Sequence, residues 1–252
     1  MVDYLAITNK FLEKWRAKDE VIGAVLAGGY VLGDPSKHSD LDICIILRED
    51  AGYRERGNKI IDGVLIEYFA NPIKQIKEYV EHDEKSGRKI TAHMFATGKL
   101  IFSKSKKVQN LIEDMKKELE RPFPKLNSFQ IKVKKYGLWD GLDNLKEIQN
   151  DKAFHIAYYN LLYQAYEAYF LFKREEVVRP FRLHKYMNNK KYREKYGFEL
   201  IKDKKFNSLL KNSLEPQSNK KMLESIEKLV NHIIKEMGGL KVDGFKIREK
   251  LK

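Results

Sequence analysis

Apolar residues recur along this chain in two spacings, and the change from one to the other marks out its elements. Residues 3–17 place Leu5, Phe11, Leu12 and Trp15 at helical intervals, which predicts an amphipathic helix with that face buried. Two β-branched runs, residues 21–26 and 43–47, are short and continuous enough for buried strands. Residues 49–58 read as a charged turn, and residues 59–69 alternate as a third strand. Asn71-Pro72 predicts a helix start, because Asn caps free N–H groups and Pro suits the first turn; the helix runs to about Glu84 and Ser86-Gly87 ends it. A short helix at 89–97, a strand ending near Phe102 and a helix over 106–120 follow. The main elements run α-β-β-β-α-β-α, which predicts a compact α/β domain with a mixed sheet flanked by helices.

At Arg121-Pro122-Phe123-Pro124 the preceding helix cannot continue, and every later segment has helical spacing. The expected division is therefore 1–120 and 121–252, the second part an all-α bundle. Its helices are expected over about 126–150, 153–174, 198–213 and 218–237, with shorter pieces around 181–195 and at the end. In 218–237, Met222, Ile226, Leu229, Val230 and Ile233 form one face, and Gly238-Gly239 terminates the helix. The 153–174 segment is apolar nearly all round, so it belongs at the centre; Asn160, Gln164 and Glu167 interrupt it as a polar stripe suited to a wet cleft or to bonds with neighbouring helices.

Composition changes this picture in three ways. No apolar run approaches the ~20 residues of a membrane span, and the N-terminal segment lacks a signal peptide's continuous apolar core, so a cytoplasmic protein without membrane partners is expected. Cys44 is the single cysteine, which excludes an internal disulfide. The net charge of +13 is unevenly spread: residues 1–120 hold 20 Lys+Arg and 20 Asp+Glu, and residues 121–252 hold 29 and 16. A basic second half can attract a polyanion or a nucleotide triphosphate, or can be a solvated helical surface.

Candidate chemistry lies between the first two strands. Gly28-Gly29 directly follows the first, where paired glycines let the backbone turn sharply and present N–H groups to a phosphate. A polar turn, residues 33–39, then leads to Asp40 and Asp42 at the entrance to the second strand. Residues two apart in a strand share a face, so the two carboxylates stand side by side, and a divalent cation relieves their repulsion. His38, His93, His155 and His184 show no metal-ligand spacing, and Lys185 near Arg182 reads as solvent-facing or phosphate-binding.

Gly28-Gly29, a turn, then Ser39-Asp40-Leu41-Asp42 entering a strand resembles the signature of the polymerase-β-like nucleotidyltransferase superfamily. The chain is most similar to antibiotic nucleotidyltransferases of the kanamycin type. Residues 64–69, containing Glu67, stand where that family has its third carboxylate strand, and residues 221–243 are similar to its last long helix and tail. The resemblance implies an N-terminal nucleotidyltransferase catalytic domain followed by a helical substrate-binding domain. It implies metal binding by Asp40, Asp42 and Glu67, two Mg²⁺ ions, and a nucleoside triphosphate held by Gly28, Gly29 and Ser39. Gly29 and Leu32 stand where the family carries Ser and often Arg, which leaves backbone N–H groups to hold the triphosphate, with nucleotide affinity either weak or supplied from elsewhere.

In the kanamycin-type enzymes a Glu on the first helix of the second domain takes the acceptor's proton, with a Lys one turn later. The resembling segment, residues 136–141, offers Asp140 as the catalytic base, followed by Asn144 in place of Lys. Glu167 and Gln164 are the candidate acceptor-binding residues. The expected activity is Mg²⁺-dependent transfer of a nucleoside monophosphate, AMP from ATP, to a hydroxyl of a small molecule such as an aminoglycoside, with antibiotic resistance as its use and a homodimer as one allowed assembly. The alternatives are a nucleotidyltransferase acting on protein or tRNA, with nucleic acid the less favoured partner, and a catalytically weak, nucleotide-binding, antitoxin-like protein.

Overall fold

In a computed structural model of the chain, residues 3–33, 35, 38–215 and 217–248 are described, so residues 34, 36 and 37 of the polar turn lie outside the described residues. The chain divides into two compact units, residues 1–122 and 123–252.

The first unit runs α1 (Tyr4–Arg16), β1 (Val21–Ala27), β2 (Leu41–Leu47), β3 (Glu55–Ile61), β4 (Val64–Pro72), α2 (Ile73–Lys85), α3 (Ile90–Ala96), β5 (Lys99–Ser103) and α4 (Lys106–Glu120), with a 3₁₀ turn at Glu49–Ala51. Its sheet has the order β3-β4-β2-β1-β5. The β2–β4 pair is parallel and the others antiparallel, so the sheet is mixed as expected. Side-chain alternation gives the sheet two buried faces. Leu41, Ile43 and Ile45 join Phe11, Leu12 and Trp15 of α1 on one; Cys44 and Ile46 join Ile76, Phe95 and Leu111 of α2–α4 on the other. On α1, Ile7 and Thr8 complete the buried face, and the expected Leu5 is only half-buried.

The expected third strand over 59–69 is instead a hairpin of two. Ile61 pairs with Val64 across Asp62-Gly63, and both turn residues have positive φ, 50° and 78°. That is the two-residue turn whose twist matches the flanking strands. The expected charged turn at 49–58 accordingly gives way to β3 from Glu55, an exposed edge strand studded with Glu55, Arg56 and Lys59. Asn71 is also not a cap. It is buried within β4 opposite Ile46, and Pro72, which has no side-chain donor or acceptor, precedes α2. Lys89, almost buried, donates to the carbonyls of Glu118, Leu119 and Arg121, closing the C-terminus of α4.

The second unit runs α5 (Ser128–Glu147), α6 (Phe154–Lys173), α7 (Pro180–Asn188), α8 (Lys190–Tyr196), α9 (Lys204–Leu214) and α10 (Asn219–Glu236). Asn127 and Gln130 form a reciprocal capping box at α5. Phe154, Tyr158, Ala165 and Tyr169 of α6 are fully enclosed, which makes α6 the central helix, and Met222, Ile226, Leu229, Val230 and Ile233 form the buried face of α10. Buried tyrosines need partners for their hydroxyls. Tyr158 donates to the Ser213 carbonyl and Tyr186 to that of Glu199, both at 2.8 Å. α9 starts at Lys204 rather than 198, because the Asp203 carboxylate accepts from the Phe206 N–H and caps it.

Candidate active site

Asp40, Asp42 and Glu67 meet at the mouth of the parallel strand pair. Asp42 is the register partner of Glu67, and Asp40 immediately precedes β2. On β2, Asp42 shares a face with Cys44 and Ile46. Those two are buried beneath α2–α4 while Asp42 is half-buried, so the helical cover gives out at the first of the three positions. One carboxylate oxygen from each of Asp40, Asp42 and Glu67 lies within 4.8 Å of the other two. Three such groups repel one another, and a hard cation that takes oxygen ligands, keeping further positions for water or phosphate, is the chemistry that donor set fits. Cys44, next along the face, is not a competing ligand: burial, with the Asp42 charge beside it, pushes its thiol far up.

The glycine turn abuts this cluster. Ala27 pairs with Asp42 across β1 and β2, and the next residue, Gly28, has φ +85°. A Cβ there would lie 2.4 Å from the Asp42 Oδ2. The backbone then coils, with the Leu32 N–H donating to the Gly28 carbonyl and that of Gly33 to Tyr30, each at 3.3 Å. Gly29, Leu32 and Ser39 are half-buried along it.

Arg56 also reaches the cluster, and nothing in the sequence reading pointed to it. Its Nη2 donates to the Glu67 Oε1 at 2.5 Å, and its guanidinium lies 4.9 Å from the Phe69 ring centroid. The only signal available was Asp62-Gly63, which makes β3 a strand and sets its register.

The remaining candidates belong to the second unit. Asp140 is exposed on α5 and accepts from the Asn144 amide at 3.4 Å, so the residue standing in place of a Lys engages the carboxylate itself. Asn160 and Gln164 of α6 are exposed, whereas Glu167 is half-buried. Lys134 of α5 pairs with Glu167 at 3.3 Å, and the Tyr163 hydroxyl lies 3.4 Å from the same carboxylate. Lys134 was not singled out in the sequence, since its place opposite Glu167 depends on how α5 and α6 pack.

Residues 8–116, within the first unit, match the family model described as nucleotidyltransferase domain. The acidic triad lies inside the matched stretch. No curated protein matches the chain. It is similar to a crystal structure described as a nucleotidyltransferase-like protein from Exiguobacterium sibiricum 255-15, at 11% identity and a TM-score of 0.49 over 92% of this chain and 74% of that one. Among the described residues, no helix is long and apolar enough to cross a membrane.

Proposed function

We propose that the chain transfers a nucleoside monophosphate, AMP from ATP, to a hydroxyl of a small molecule of the aminoglycoside class, with Mg²⁺ in the carboxylate cluster. The observation that carries this reading is the convergence of Asp40, Asp42 and Glu67 to within 4.8 Å inside the stretch that matches the nucleotidyltransferase model. Bound Mg²⁺ supplies neutralisation of the reacting phosphate and a lowered pKa for the acceptor hydroxyl. Asp40 and Asp42 hold the cation that accompanies the triphosphate, and Glu67 completes the acceptor side. The N–H groups of Gly28 and Gly29 and the Ser39 hydroxyl orient the phosphates. Asp140 takes the acceptor proton, and Glu167, with Gln164 on the same helix, binds the acceptor through its remaining polar groups.

A second reading, a polymer acceptor such as tRNA, is favoured by a different feature. Phe181 is 68% exposed at the start of α7, with the guanidiniums of Arg179 and Arg182 at 6.0 and 5.4 Å from its ring. An exposed ring among cations suits a stacked base. The test is incubation of the purified chain with Mg²⁺, each of the four α-labelled nucleoside triphosphates, and a panel of aminoglycosides, lincosamides and tRNA. Label from ATP on a small molecule supports the first reading. Label confined to tRNA replaces it with the second, and no transfer with any acceptor overturns both.

A further inference from the structure

The three carboxylates are met from the β3 side by a permanent cation. Asn58 is the register partner of Glu67 and Arg56 that of Phe69, so Arg56 lies diagonally across from Glu67 on the same face of the sheet. It contacts both, donating to the Glu67 carboxylate at 2.5 Å with its guanidinium over Phe69. Its side chain is 69% exposed, against 25% for Glu67. The head group is thus seated beside a ring at the rim of the cluster and is not enclosed there. A guanidinium cannot shed its charge at any relevant pH, and its planar fork fits carboxylate and phosphate oxygens equally well. The glycine turn, meanwhile, offers Gly29 and Leu32, neither of which has a side-chain donor for a triphosphate.

We propose that Arg56 is the triphosphate-positioning residue of this site, alternating between Glu67 and a substrate phosphate. In the cation-free chain Arg56 neutralises Glu67 and so competes with any divalent ion for that carboxylate. Once Glu67 is committed to a cation, the guanidinium is released with its donors free. Seated on Phe69, it donates to a phosphate oxygen, supplying from β3 the contact that the glycine turn lacks. The inference rests on the proposed role of the carboxylate cluster as a cation site.

The consequence is a pair of opposite effects from one substitution, which a surface ion pair without function would not produce. In the wild-type chain and in Arg56→Gln, Mn²⁺ binding is read from the loss of the free-ion electron paramagnetic resonance signal. Binding of a non-hydrolysable ATP analogue with Mg²⁺ is read by calorimetry. Arg56→Gln is expected to bind Mn²⁺ alone several-fold more tightly, and the analogue roughly tenfold or more weakly, since a charge-assisted hydrogen bond to phosphate is lost. Arg56→Lys, which keeps the charge without the fork, is expected to retain wild-type Mn²⁺ affinity and to lose part of the analogue affinity. An unchanged thermal midpoint in both variants shows that the exposed edge strand is intact. If wild type binds Mn²⁺ but Arg56→Gln alters neither affinity, or lowers both, this inference is overturned and the cation site stands. If wild type binds no Mn²⁺, the cation site itself is wrong and the inference goes with it.

Discussion

Gly28 and Asp42 approach so closely that no side chain fits between them: a Cβ on Gly28 would sit 2.4 Å from the Asp42 Oδ2, at a φ of +85° that side chains resist. The end of β1 and the start of β2 therefore fix each other, and the carboxylate is held by a wall of bare backbone. Gly28→Ala is expected to fail twice. The left-handed conformation costs about 1–2 kcal/mol for a non-glycine residue, and the methyl group must push Asp42 aside. A displacement on the order of 1 Å at a reacting centre costs roughly 10²-fold in rate. Transfer and Mn²⁺ affinity should fall together, with a lowered thermal midpoint. Wild-type Mn²⁺ affinity in this variant would show that the close approach does not hold the carboxylate in place.

The aspartates themselves should behave in the opposite way toward stability. Asp40→Asn or Asp42→Asn removes one of two neighbouring carboxylate charges that repel each other, Glu67 being paired with Arg56, while keeping the side chain's shape. The expected result is loss of transfer with an unchanged or raised thermal midpoint, measured by calorimetry beside the labelled-ATP assay. Retained transfer in either variant would remove the carboxylates from the chemistry.

Which of these features a reader of the sequence can find depends on how local the cause is. The β2 run is legible because burial on both faces leaves a continuous signal, and α6 because its apolar residues outnumber the polar stripe of Asn160, Gln164 and Glu167. Asp40 and Asp42 share a face by strand alternation alone. The β3–β4 hairpin is harder, since Ile60 and Ile61 on one arm and Val64 to Ile66 on the other read as one apolar strand unless Asp62-Gly63 is weighed as a turn. Phe198, Leu200 and Ile201 misled in a similar way. They pack against the bundle core outside any helix or strand, so their apolar character comes from packing, and the α9 start is set by Asp203. The Arg56–Glu67 and Lys134–Glu167 pairs lie beyond any local pattern, because strand register and helix packing create them.

Asp203 gives the second unit a pH dependence of predictable sign. Burial raises its pKa, but hydrogen bonds from the Phe206 N–H, the Tyr169 hydroxyl and the His232 ring outweigh that and bring it from the ordinary 3.8 to about 2. Its carboxylate lies 2.5 Å from the Tyr169 hydroxyl and 2.8 Å from the His232 Nε2. Because the folded value lies below the unfolded one, the stabilisation is complete above about pH 4 and is lost as pH falls toward about 2. Asp203→Asn keeps an acceptor for the α9 cap and removes the charge. In urea titrations, the stability gap between wild type and this variant should be on the order of 1 kcal/mol above about pH 4 and should close between about pH 4 and pH 2. A gap independent of pH would mean that the effect is steric.

The division of labour proposed for Asp140 and Glu167 is separable by kinetics once an acceptor is in hand. Asp140 stands on α5, the first helix of the second unit, exposed, and accepts from the Asn144 amide. Glu167 is half-buried and held by Lys134 and Tyr163, an arrangement that orients a carboxylate for binding but leaves less of it to accept a proton. A positioned general base contributes roughly 10²–10⁴-fold, and acts on turnover more than on nucleotide affinity. Asp140→Asn should therefore lower kcat by that order while Mg²⁺-ATP affinity stays within a few fold. Glu167→Gln should raise the acceptor KM with a smaller change in kcat, and Lys134→Met should imitate it by freeing the carboxylate from its tether. If Asp140→Asn turns over near the wild-type rate and Glu167→Gln loses kcat instead, the base is Glu167, and Lys134 then acts by holding it.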